Sequence, residues 1–275
     1  MSEYKSEIRD GMQIDWDAPI KMDDGIVLRA DVFRPTGGEK YPVILSYGPY
    51  AKGLSFQEGY KSQWSRLIQA APEVLQGSSN KYQNWELFDP EKWVPDGYIL
   101  VRVDSRGAGR SPGQLEVWSP REAKDIADCV DWCGTQAWSS GKVAIHGISY
   151  YSMNQWQAAQ HNPKHLCCIA PYDAGADIYR HFVYKGGILA IGFNNHWWNN
   201  SVRYRHFLDY EERPQRDDYM AYDYTREIAV HSTFDDFWKV RRADLSKIKV
   251  PTFSIGSWEG HGVHLLGNLQ GYMQT

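Results

Sequence analysis

The sequence of 275 residues contains little of what marks metal-binding or disulfide-rich proteins. It has four cysteines: Cys129 and Cys133 on a predicted helix, and the adjacent pair Cys167 and Cys168 on a predicted strand. Adjacent strand residues point to opposite faces of a sheet, so this pair is not expected to chelate one ion together. We interpret all four as buried apolar residues in a reducing compartment, and we predict no metal and no cofactor.

Long apolar runs and excess positive charge are missing as well. No uninterrupted apolar stretch approaches the length of a membrane span, and the polar residues 1–5 do not form a signal-peptide core. We therefore expect a cytoplasmic protein that does not contact membranes. The net charge of −4 gives no indication of nucleic acid as a partner.

What the chain does contain is a recurring alternation of strands and helices. Apolar, β-branched runs predict strands at Ile26–Arg34, Tyr41–Tyr47, Gly97–Val103, Lys142–Ile148, Leu166–Ala170 and Val250–Gly256. Helical spacing covers Arg121 to Trp132 and Met153 to His161. This alternation predicts an α/β fold with a mostly parallel sheet flanked by helices.

The regular alternation is interrupted at two places. Residues before Ile20 are polar, and we expect them to be loosely held. From 175 to 245 the strand pattern stops, and we interpret this segment as an inserted helical cap over the loop end of the sheet. The charged run from Asp209 to Asp218 is interpreted as a solvated face. The core thus comprises residues 20–174 and 246–275, separated by the cap.

The central strand ends in Gly147-Ile148-Ser149, and a helix follows directly. A sharp strand-to-helix elbow exposes a serine hydroxyl near the positive end of the helix, which is the arrangement of a hydrolase nucleophile. The elbow pattern has glycine two residues after the serine, where this chain has Tyr151. We predict Ser149 as a nucleophile, against the alternative of an ordinary turn.

Loops that follow parallel strands gather at one sheet edge, so we expect Tyr50 and Ser149 to lie together. A serine hydrolase needs two donors for the developing oxyanion. The backbone N–H of Tyr150 is one, and the phenol of Tyr50 is a candidate for the other, against the alternative of an ordinary loop aromatic.

The glycine-rich loop that begins at Asp104 also follows a predicted strand. It lacks the Gly-Lys-Ser/Thr ending of a phosphate-binding loop, so nucleotide binding is disfavoured. We expect Asp104 and Arg106 to brace the loops around the site instead.

Several motifs occur in a fixed order. They are Tyr47-Gly48-Pro49-Tyr50, Asp104-Ser105-Arg106-Gly107, Gly147-Ile148-Ser149-Tyr150 followed by Gln155-Trp156-Gln157-Ala158-Ala159, and Asp235-Asp236-Phe237-Trp238 ahead of Val250-Pro251. The series resembles the cocaine esterase / X-prolyl dipeptidyl-peptidase / α-amino-acid ester hydrolase family over about Ile26 to Tyr272. The resemblance implies an α/β-hydrolase core with an inserted cap. It also implies Ser149 as nucleophile, with Tyr50 and the Tyr150 amide as oxyanion donors.

The chain departs from the family at the triad acid and at one small residue. The family's aspartate aligns with Gly260, and the neighbouring Glu259 becomes the candidate acid, against the alternative of an exposed loop residue. Ser152 stands where the family has glycine, and we expect it to permit the same close helix packing.

The second departure from the family concerns the position of the triad histidine, the catalytic base. In the family the histidine follows a further strand, which would begin after Thr275, and a β-sandwich domain lies beyond it. His146, His261 and His264 are closer in sequence, but none has the expected position, and His146 is better interpreted as a structural residue of the strand before the elbow. We therefore expect the chain to be a fragment that lacks its triad histidine and the β-sandwich domain.

Taken together, the sequence predicts a serine hydrolase that forms an acyl-enzyme, with a small-molecule ester or a short peptide of the X-Pro type as the two substrate classes considered. No acidic cluster marks capture of a free amino terminus, so esters are slightly favoured. We expect weak or no turnover and poor labelling by a serine probe, because a triad without its base retains only residual acceleration.

Some alternatives stay open. One is a non-catalytic binding or scaffolding protein on the same fold. Phe182, Tyr184, Trp197 and Trp198 are either a substrate pocket or cap core, with cap packing favoured for the two tryptophans. The oligomeric state is not indicated.

Overall fold

A computed structural model describes residues 4–203 and 222–275, and it confirms the α/β architecture. The main sheet consists of β1 (Lys5–Arg9), β2 (Met12–Lys21), β3 (Val27–Pro35), β4 (Tyr41–Gly48), β5 (Ile99–Asp104), β6 (Ser139–Ile148) and β7 (Leu166–Tyr172). Their order across the sheet is β1-β2-β3-β5-β4-β6-β7. Strands β5, β4, β6 and β7 pair in parallel, whereas β1, β2 and β3 join them as antiparallel neighbours. The parallel half brings several strand ends to one edge.

The helices fill the connections between these strands. They are α1 (Phe56–Gly59), α2 (Lys61–Ala70), α3 (Pro90–Trp93), α4 (Pro120–Thr135), α5 (Tyr150–Ala159), α6 (Ile191–His196), α7 (Tyr224–Val230), α8 (Asp236–Lys239) and α9 (Leu265–Gln274). π-Helical turns span Ile178–Val183 and Trp197–Val202, and a small hairpin pairs β8 (Tyr184–Lys185) with β9 (Ile188–Leu189). Short 3₁₀ turns occur at Pro72–Leu75, Leu245–Lys247 and Gly260–Gly262.

The start of helix α4 at Pro120 is explained by its capping residue, Ser119. The Ser119 hydroxyl accepts a hydrogen bond from the Glu122 N–H at 3.1 Å, and Pro120 occupies the first turn, where its missing N–H has no cost. Helix α5 is buried along its whole length. It begins at Tyr150 rather than at the predicted Met153, because the elbow itself starts the first helical turn.

The expectation that residues before Ile20 are loosely held is wrong. Met12 and Ile14 of β2 are buried, and β2 pairs with β3 along nearly its whole length. The pairing contains a register shift between Asp15 and Ala18. A bulge of this kind breaks the strict alternation of apolar and polar residues, which is why the strand is hidden in the sequence pattern.

One cysteine also departs from expectation. Cys129 and Cys133 are buried in α4, but Cys167 is exposed on β7 and Cys168 is half-buried. All four thiols are free. The neighbouring strand residues Leu166 and Ile169 both pack into the core, so the exposure of Cys167 is local to its position near the start of β7.

The segment from 175 to 245 is helical where it is described, in α6, α7, α8 and the π-helical turns. Its charged run from Asp209 to Asp218 lies outside the described residues. The division into core and cap therefore stays a prediction. Beyond it, the predicted strand at 250–256 aligns parallel to β7 through the bridges Ile169 to Thr252 and Tyr172 to Ile255.

A buried lysine fixes the loop that follows β4. Lys52 Nζ lies 2.6 Å from Asp17 Oδ1 and 2.7 Å from Asp31 Oδ1. The backbone N–H of Lys52 donates to Asp104 Oδ1 at 2.8 Å. Burial alone would lower the pKa of Lys52, but the surrounding carboxylates raise it on balance. This network holds the chain two residues after Tyr50, and with it Asp104 braces the loop as expected.

Lys52→Met should destabilise the protein strongly. The change leaves the buried Asp31 carboxylate without its cation, and breaking a buried ion pair in this way costs about 3–5 kcal/mol. Urea unfolding followed by circular dichroism measures the loss. The control is Lys21→Met at an exposed position of β2, which should change the free energy of unfolding by less than about 0.5 kcal/mol. Equal effects of the two changes would contradict the interpretation.

Candidate active site

Ser149 occupies a strained elbow between β6 and α5. Its backbone has φ of 58° and ψ of −114°, a region that residues other than glycine rarely adopt. The Ser149 N–H donates to the Tyr172 carbonyl at 3.0 Å, and the Ser149 carbonyl accepts from the Met153 N–H at 2.9 Å. Ser149 is only half-buried, so its hydroxyl is accessible. The structure thus gives Ser149 the geometry predicted for it.

Close packing explains how the elbow accepts Tyr151 in place of glycine. A Cβ on Gly147 would lie 2.1 Å from Tyr151 Cβ, and one on Gly48 would lie 2.4 Å from the Tyr151 ring. The absent side chains of these two glycines therefore make room for the tyrosine. Ser152 Oγ lies 2.5 Å from the carbonyl oxygens of Gly147 and Tyr172, so it ties the helix to both strands.

His264 faces Ser149. Its Nε2 lies 3.1 Å from Ser149 Oγ, within hydrogen-bond distance. This corrects the expectation that no histidine of the chain reaches Ser149. The 3₁₀ turn Gly260–Gly262 folds the chain back, and the His264 N–H donates to the Gly260 carbonyl at 3.0 Å. Sequence spacing alone does not show this reversal.

The surroundings of His264 keep its imidazole neutral. Its pKa is lowered to about 4, mainly by desolvation and to a smaller extent by Lys185, while the Asp173 carboxylate opposes this shift. An imidazole with this pKa is unprotonated at pH 7. It can therefore accept a proton from the Ser149 hydroxyl.

The other predicted base and acid positions lie elsewhere. His146 is buried and stacks on Phe88 with ring centroids 3.4 Å apart, which agrees with a structural role. His261 is exposed. Glu259 is also exposed, and within the described part of the chain it makes no hydrogen bond or ion pair. The structure therefore does not bring Glu259 to His264, because its side chain leaves the 3₁₀ turn on the solvent side.

Tyr50 is buried beside the elbow. Its phenol oxygen accepts a hydrogen bond from the Trp197 indole N–H at 2.7 Å, and its ring lies edge-on to Tyr151 with centroids 5.5 Å apart. Burial, with a smaller contribution from Glu86, raises the pKa of Tyr50 well above its usual value. The phenol is therefore un-ionised, and its own O–H is available to donate.

The side-chain hydroxyl of Tyr150 is hydrogen-bonded within the described part of the protein, whereas its backbone N–H is not. The side-chain hydroxyl donates to the Glu122 carboxylate, with oxygen distances of 2.6 and 2.7 Å. Its backbone N–H lies at the start of α5 and has no hydrogen-bond partner within residues 4–203 and 222–275. The N–H is therefore available to donate to a group bound beside Ser149, and its role as an oxyanion donor stays a prediction.

Two acidic residues were missed by the sequence reasoning. Asp173 directly follows β7, and its Oδ1 accepts a hydrogen bond from the Ser257 N–H at 2.7 Å. A position directly after a parallel strand was a usable signal. Glu86 lies in the irregular region between Ala51 and Pro95, where no pattern marks it. Its carbonyl accepts from the Ile148 N–H at 3.2 Å, so it touches the elbow strand.

The Glu86 side chain borders an apolar groove beside the elbow. The groove has a volume of about 480 Å³, and its apolar walls are formed by Phe56, Leu67, Trp85, Leu87 and Ile148. Glu86 Oε2 is buried without a hydrogen-bond partner. Burial, with a further contribution from Asp173, raises the pKa of Glu86 well above its usual value. Burial in the groove therefore favours the protonated form of this carboxyl group.

The part of the chain that the structure describes contains neither a metal-binding cluster nor a membrane-spanning helix. Among residues 4–203 and 222–275, no cluster of three or more histidine, cysteine or acidic side chains could hold a metal ion. In the same ranges no helix has the length and apolar character to cross a membrane.

Comparison with known proteins adds a family match. A family model described as X-Pro dipeptidyl-peptidase (S15 family) matches residues 24–275. The cocaine esterase of Rhodococcus sp. (strain MB1 Bresler) is 35% identical over 173 residues, which are 62% of this chain and 26% of that protein. The chain thus spans about a quarter of the length of this curated relative.

Solved structures agree with the fold. A CocE/NonD family hydrolase from Staphylococcus aureus superposes with a TM-score of 0.80 at 31% identity, over 96% of this chain and 44% of that one. An α-amino acid ester hydrolase superposes with a TM-score of 0.63 at 18% identity, over 98% of this chain and 46% of that one. The second likeness supports the α/β-hydrolase fold alone.

The reactivity of Ser149 should depend on pH through His264. Because the pKa of His264 is lowered to about 4, the imidazole stays neutral and able to accept a proton down to that pH. We expect the rate of fluorophosphonate labelling to fall as the pH drops through about 4, with circular dichroism confirming that the fold persists. A half-maximal rate near the ordinary histidine pKa of about 6.5 would contradict this.

Proposed function

Because the chain belongs to the X-Pro dipeptidyl-peptidase (S15) family, we propose that it is a serine hydrolase domain that cleaves ester or amide bonds through an acyl-enzyme at Ser149. The observation that carries the proposal is the 3.1 Å contact between Ser149 Oγ and His264 Nε2 at a strained elbow. A nucleophile and a base within hydrogen-bond distance form the core of this chemistry.

The proposed reaction follows from these positions. Ser149 Oγ attacks the substrate carbonyl carbon, and its proton passes to His264 Nε2. The Tyr150 N–H and the Tyr50 phenol donate to the resulting oxyanion. The tetrahedral intermediate collapses, the bond to the leaving group breaks, and the leaving group takes the proton from His264. Water then hydrolyses the acyl-enzyme by the same steps and restores Ser149.

The groove beside the elbow supports neutral, apolar substrates. Its aromatic and aliphatic walls are joined by the polar residues Gln63, Arg66, Gln83 and Asn84, and burial raises the pKa of its carboxyl group, Glu86, well above the usual value. The raised pKa weakens the attraction of this carboxyl group for a cationic amino terminus, and the Arg66 guanidinium repels such a group. We therefore propose that aryl or alkyl esters are better substrates than dipeptides with a free amino group.

A substrate panel tests this preference. Aryl esters should be hydrolysed faster than X-Pro anilides, because the groove offers apolar contact and burial favours the protonated form of its carboxyl group, Glu86. The measurement is kcat/KM for both classes, with Ser149→Ala as the blank. A higher kcat/KM for the X-Pro anilides would contradict the substrate preference while leaving the nucleophile in place.

Labelling by a fluorophosphonate tests the nucleophile and the base. The placement of His264 reverses the expectation of poor labelling: we expect Ser149 to be labelled and Ser149→Ala to be inert. His264→Ala should slow labelling by about 100- to 10,000-fold, the usual contribution of a general base. His261→Ala, an exposed histidine three residues away, is the matched control and should label normally.

If the folded protein is not labelled at Ser149, the proposed function is contradicted. That result would favour the alternative, a non-catalytic binding protein on the hydrolase fold. The exposed position of Glu259 and the glycine at position 260 would then support the interpretation as a binding protein.

Tyr50 and Trp197 should act as one unit in oxyanion stabilisation. Tyr50→Phe removes the phenol donor, and loss of one such donor slows the reaction about 100- to 1,000-fold. Trp197→Phe removes the N–H that holds the phenol and should slow labelling less. In the Tyr50→Phe background the Trp197 change should add nothing, as a double-mutant cycle would show.

The neighbouring Trp198 supplies the control for this cycle. Trp198 is buried in the same helical turn and makes no hydrogen bond to Tyr50. Trp198→Phe should leave the labelling rate unchanged in both backgrounds. Additive effects of the Tyr50 and Trp197 changes would show that the two residues act independently.

A further inference from the structure

We propose that Cys167 and Cys168 form a surface dithiol that binds thiophilic compounds of trivalent arsenic, with both sulfur atoms bonded to one arsenic atom. The two cysteines lie on β7, outside the site described around Ser149. The proposal is therefore independent of the hydrolase function. It also reverses the expectation that this pair cannot hold one ion together.

The distance between the two sulfur atoms is the first argument. Cys167 Sγ and Cys168 Sγ lie 3.9 Å apart, although the two residues are consecutive in β7. Consecutive side chains of a regular strand point to opposite faces of the sheet, which separates their ends. Here the two thiols are instead close enough for one atom to contact both.

The pairing of β7 with β6 explains this proximity. Val143 of β6 is paired with Leu166. The next residue of β6, Ala144, is paired with Cys168 rather than with Cys167. Cys167 is therefore an extra residue of β7 that has no partner on β6. A bulge of this kind bends the strand and changes the direction of the side chain, so it lets the two thiols approach each other.

Exposure distinguishes this pair from the other two cysteines. Cys167 is exposed and Cys168 is half-buried, whereas Cys129 and Cys133 are fully buried in α4. All four are free thiols. A reagent in solution therefore reaches the pair on β7 in the folded protein, but it reaches the thiols of α4 only when the core opens.

The backbone disfavours a direct disulfide between the two residues. Their peptide bond is trans, so their Cα atoms are about 3.8 Å apart, whereas a disulfide prefers about 4.4–6.8 Å. The sulfur atoms would also have to move from 3.9 Å to a bond length of about 2 Å. An atom that bonds to both sulfur atoms closes this gap with less movement.

The chemistry of the two thiols favours arsenic over a divalent metal ion. Burial, with a contribution from Cys167, raises the pKa of Cys168 to about 11, so this residue is a thiol rather than a thiolate at pH 7. Within residues 4–203 and 222–275, no third histidine, cysteine or acidic side chain completes a metal cluster. Trivalent arsenic that carries one organic group is a soft partner that needs two thiols only.

The binding reaction is a condensation. Hydrated phenylarsine oxide carries two hydroxyl groups on arsenic. Each thiol sulfur forms a bond to arsenic as one arsenic–oxygen bond breaks, and the departing hydroxide takes the thiol proton to become water. Two water molecules leave, arsenic remains trivalent, and neither sulfur is oxidised. The reaction therefore requires no oxidant or reductant.

Titration of the folded, reduced chain with phenylarsine oxide tests the site. We expect native mass spectrometry to show one phenylarsenic group per chain, with both waters released. Cys167→Ser and Cys168→Ser should each weaken binding by about 100-fold or more, because a single thiol loses the gain from two linked contacts. Cys167 is exposed, so its replacement by serine should leave the fold intact.

Cys133→Ala is the matched control, because it removes a thiol of α4 and leaves the pair on β7. It should bind phenylarsine oxide like the original protein, with circular dichroism confirming that each variant is folded. Three results would overturn the proposal: no adduct on the folded chain, unchanged binding in Cys167→Ser, or loss of binding in a folded Cys133→Ala.

Labelling of Ser149 distinguishes the dithiol from the active site. Cys168 lies four positions before Tyr172 on β7, about 13 Å along a strand. We therefore expect bound phenylarsine oxide to leave fluorophosphonate labelling unchanged. Inhibition of labelling that persists in Cys167→Ser would place the arsenic compound at the active site and would contradict the assignment.

Discussion

The site depends on one backbone pairing, the hydrogen bond from the Ser149 N–H to the Tyr172 carbonyl, which continues the parallel ladder of β6 and β7 by one residue beyond the strand. This bond holds Ser149 at its left-handed φ while α5 begins immediately after it. It also places Asp173 next to the nucleophile. The strain of the elbow is maintained because the sheet, the helix and Ser152 all hold it from different sides.

Burial is the main cause of the pKa shifts of the side chains around this elbow. It raises the pKa of Tyr50 and Glu86 and lowers the pKa of His264, so it favours the uncharged form of all three side chains near Ser149. A site of this kind has low dielectric response, and each remaining charge or dipole acts strongly. The dipole of the Tyr150 N–H is one of these.

The parts of the fold that follow a simple period were predictable. The strands from β3 to β7 and helix α4 match their predicted positions closely, because apolar residues recur at the spacing that each element requires. Strand β2 was missed, since a bulge between Asp15 and Ala18 disrupts its alternation. At the site, the motifs predict Ser149 and Tyr50, which the structure places close to each other's loops, and their catalytic roles stay predictions. His264 was undervalued, because a 3₁₀ turn reverses the chain without leaving a periodic signal.

The hydrogen bond between Trp197 and Tyr50 has a consequence for how rate and selectivity are related. Trp197 belongs to a helical turn that also packs on Trp118 and Phe182, far along the chain from the elbow. In the proposed mechanism, a sequence change that repacks this turn would move the phenol that donates to the oxyanion, and so would alter the rate of bond breaking as well as the strength of substrate binding. Changes among these aromatic residues would therefore preserve the rate only where they leave the Trp197 indole nitrogen in place.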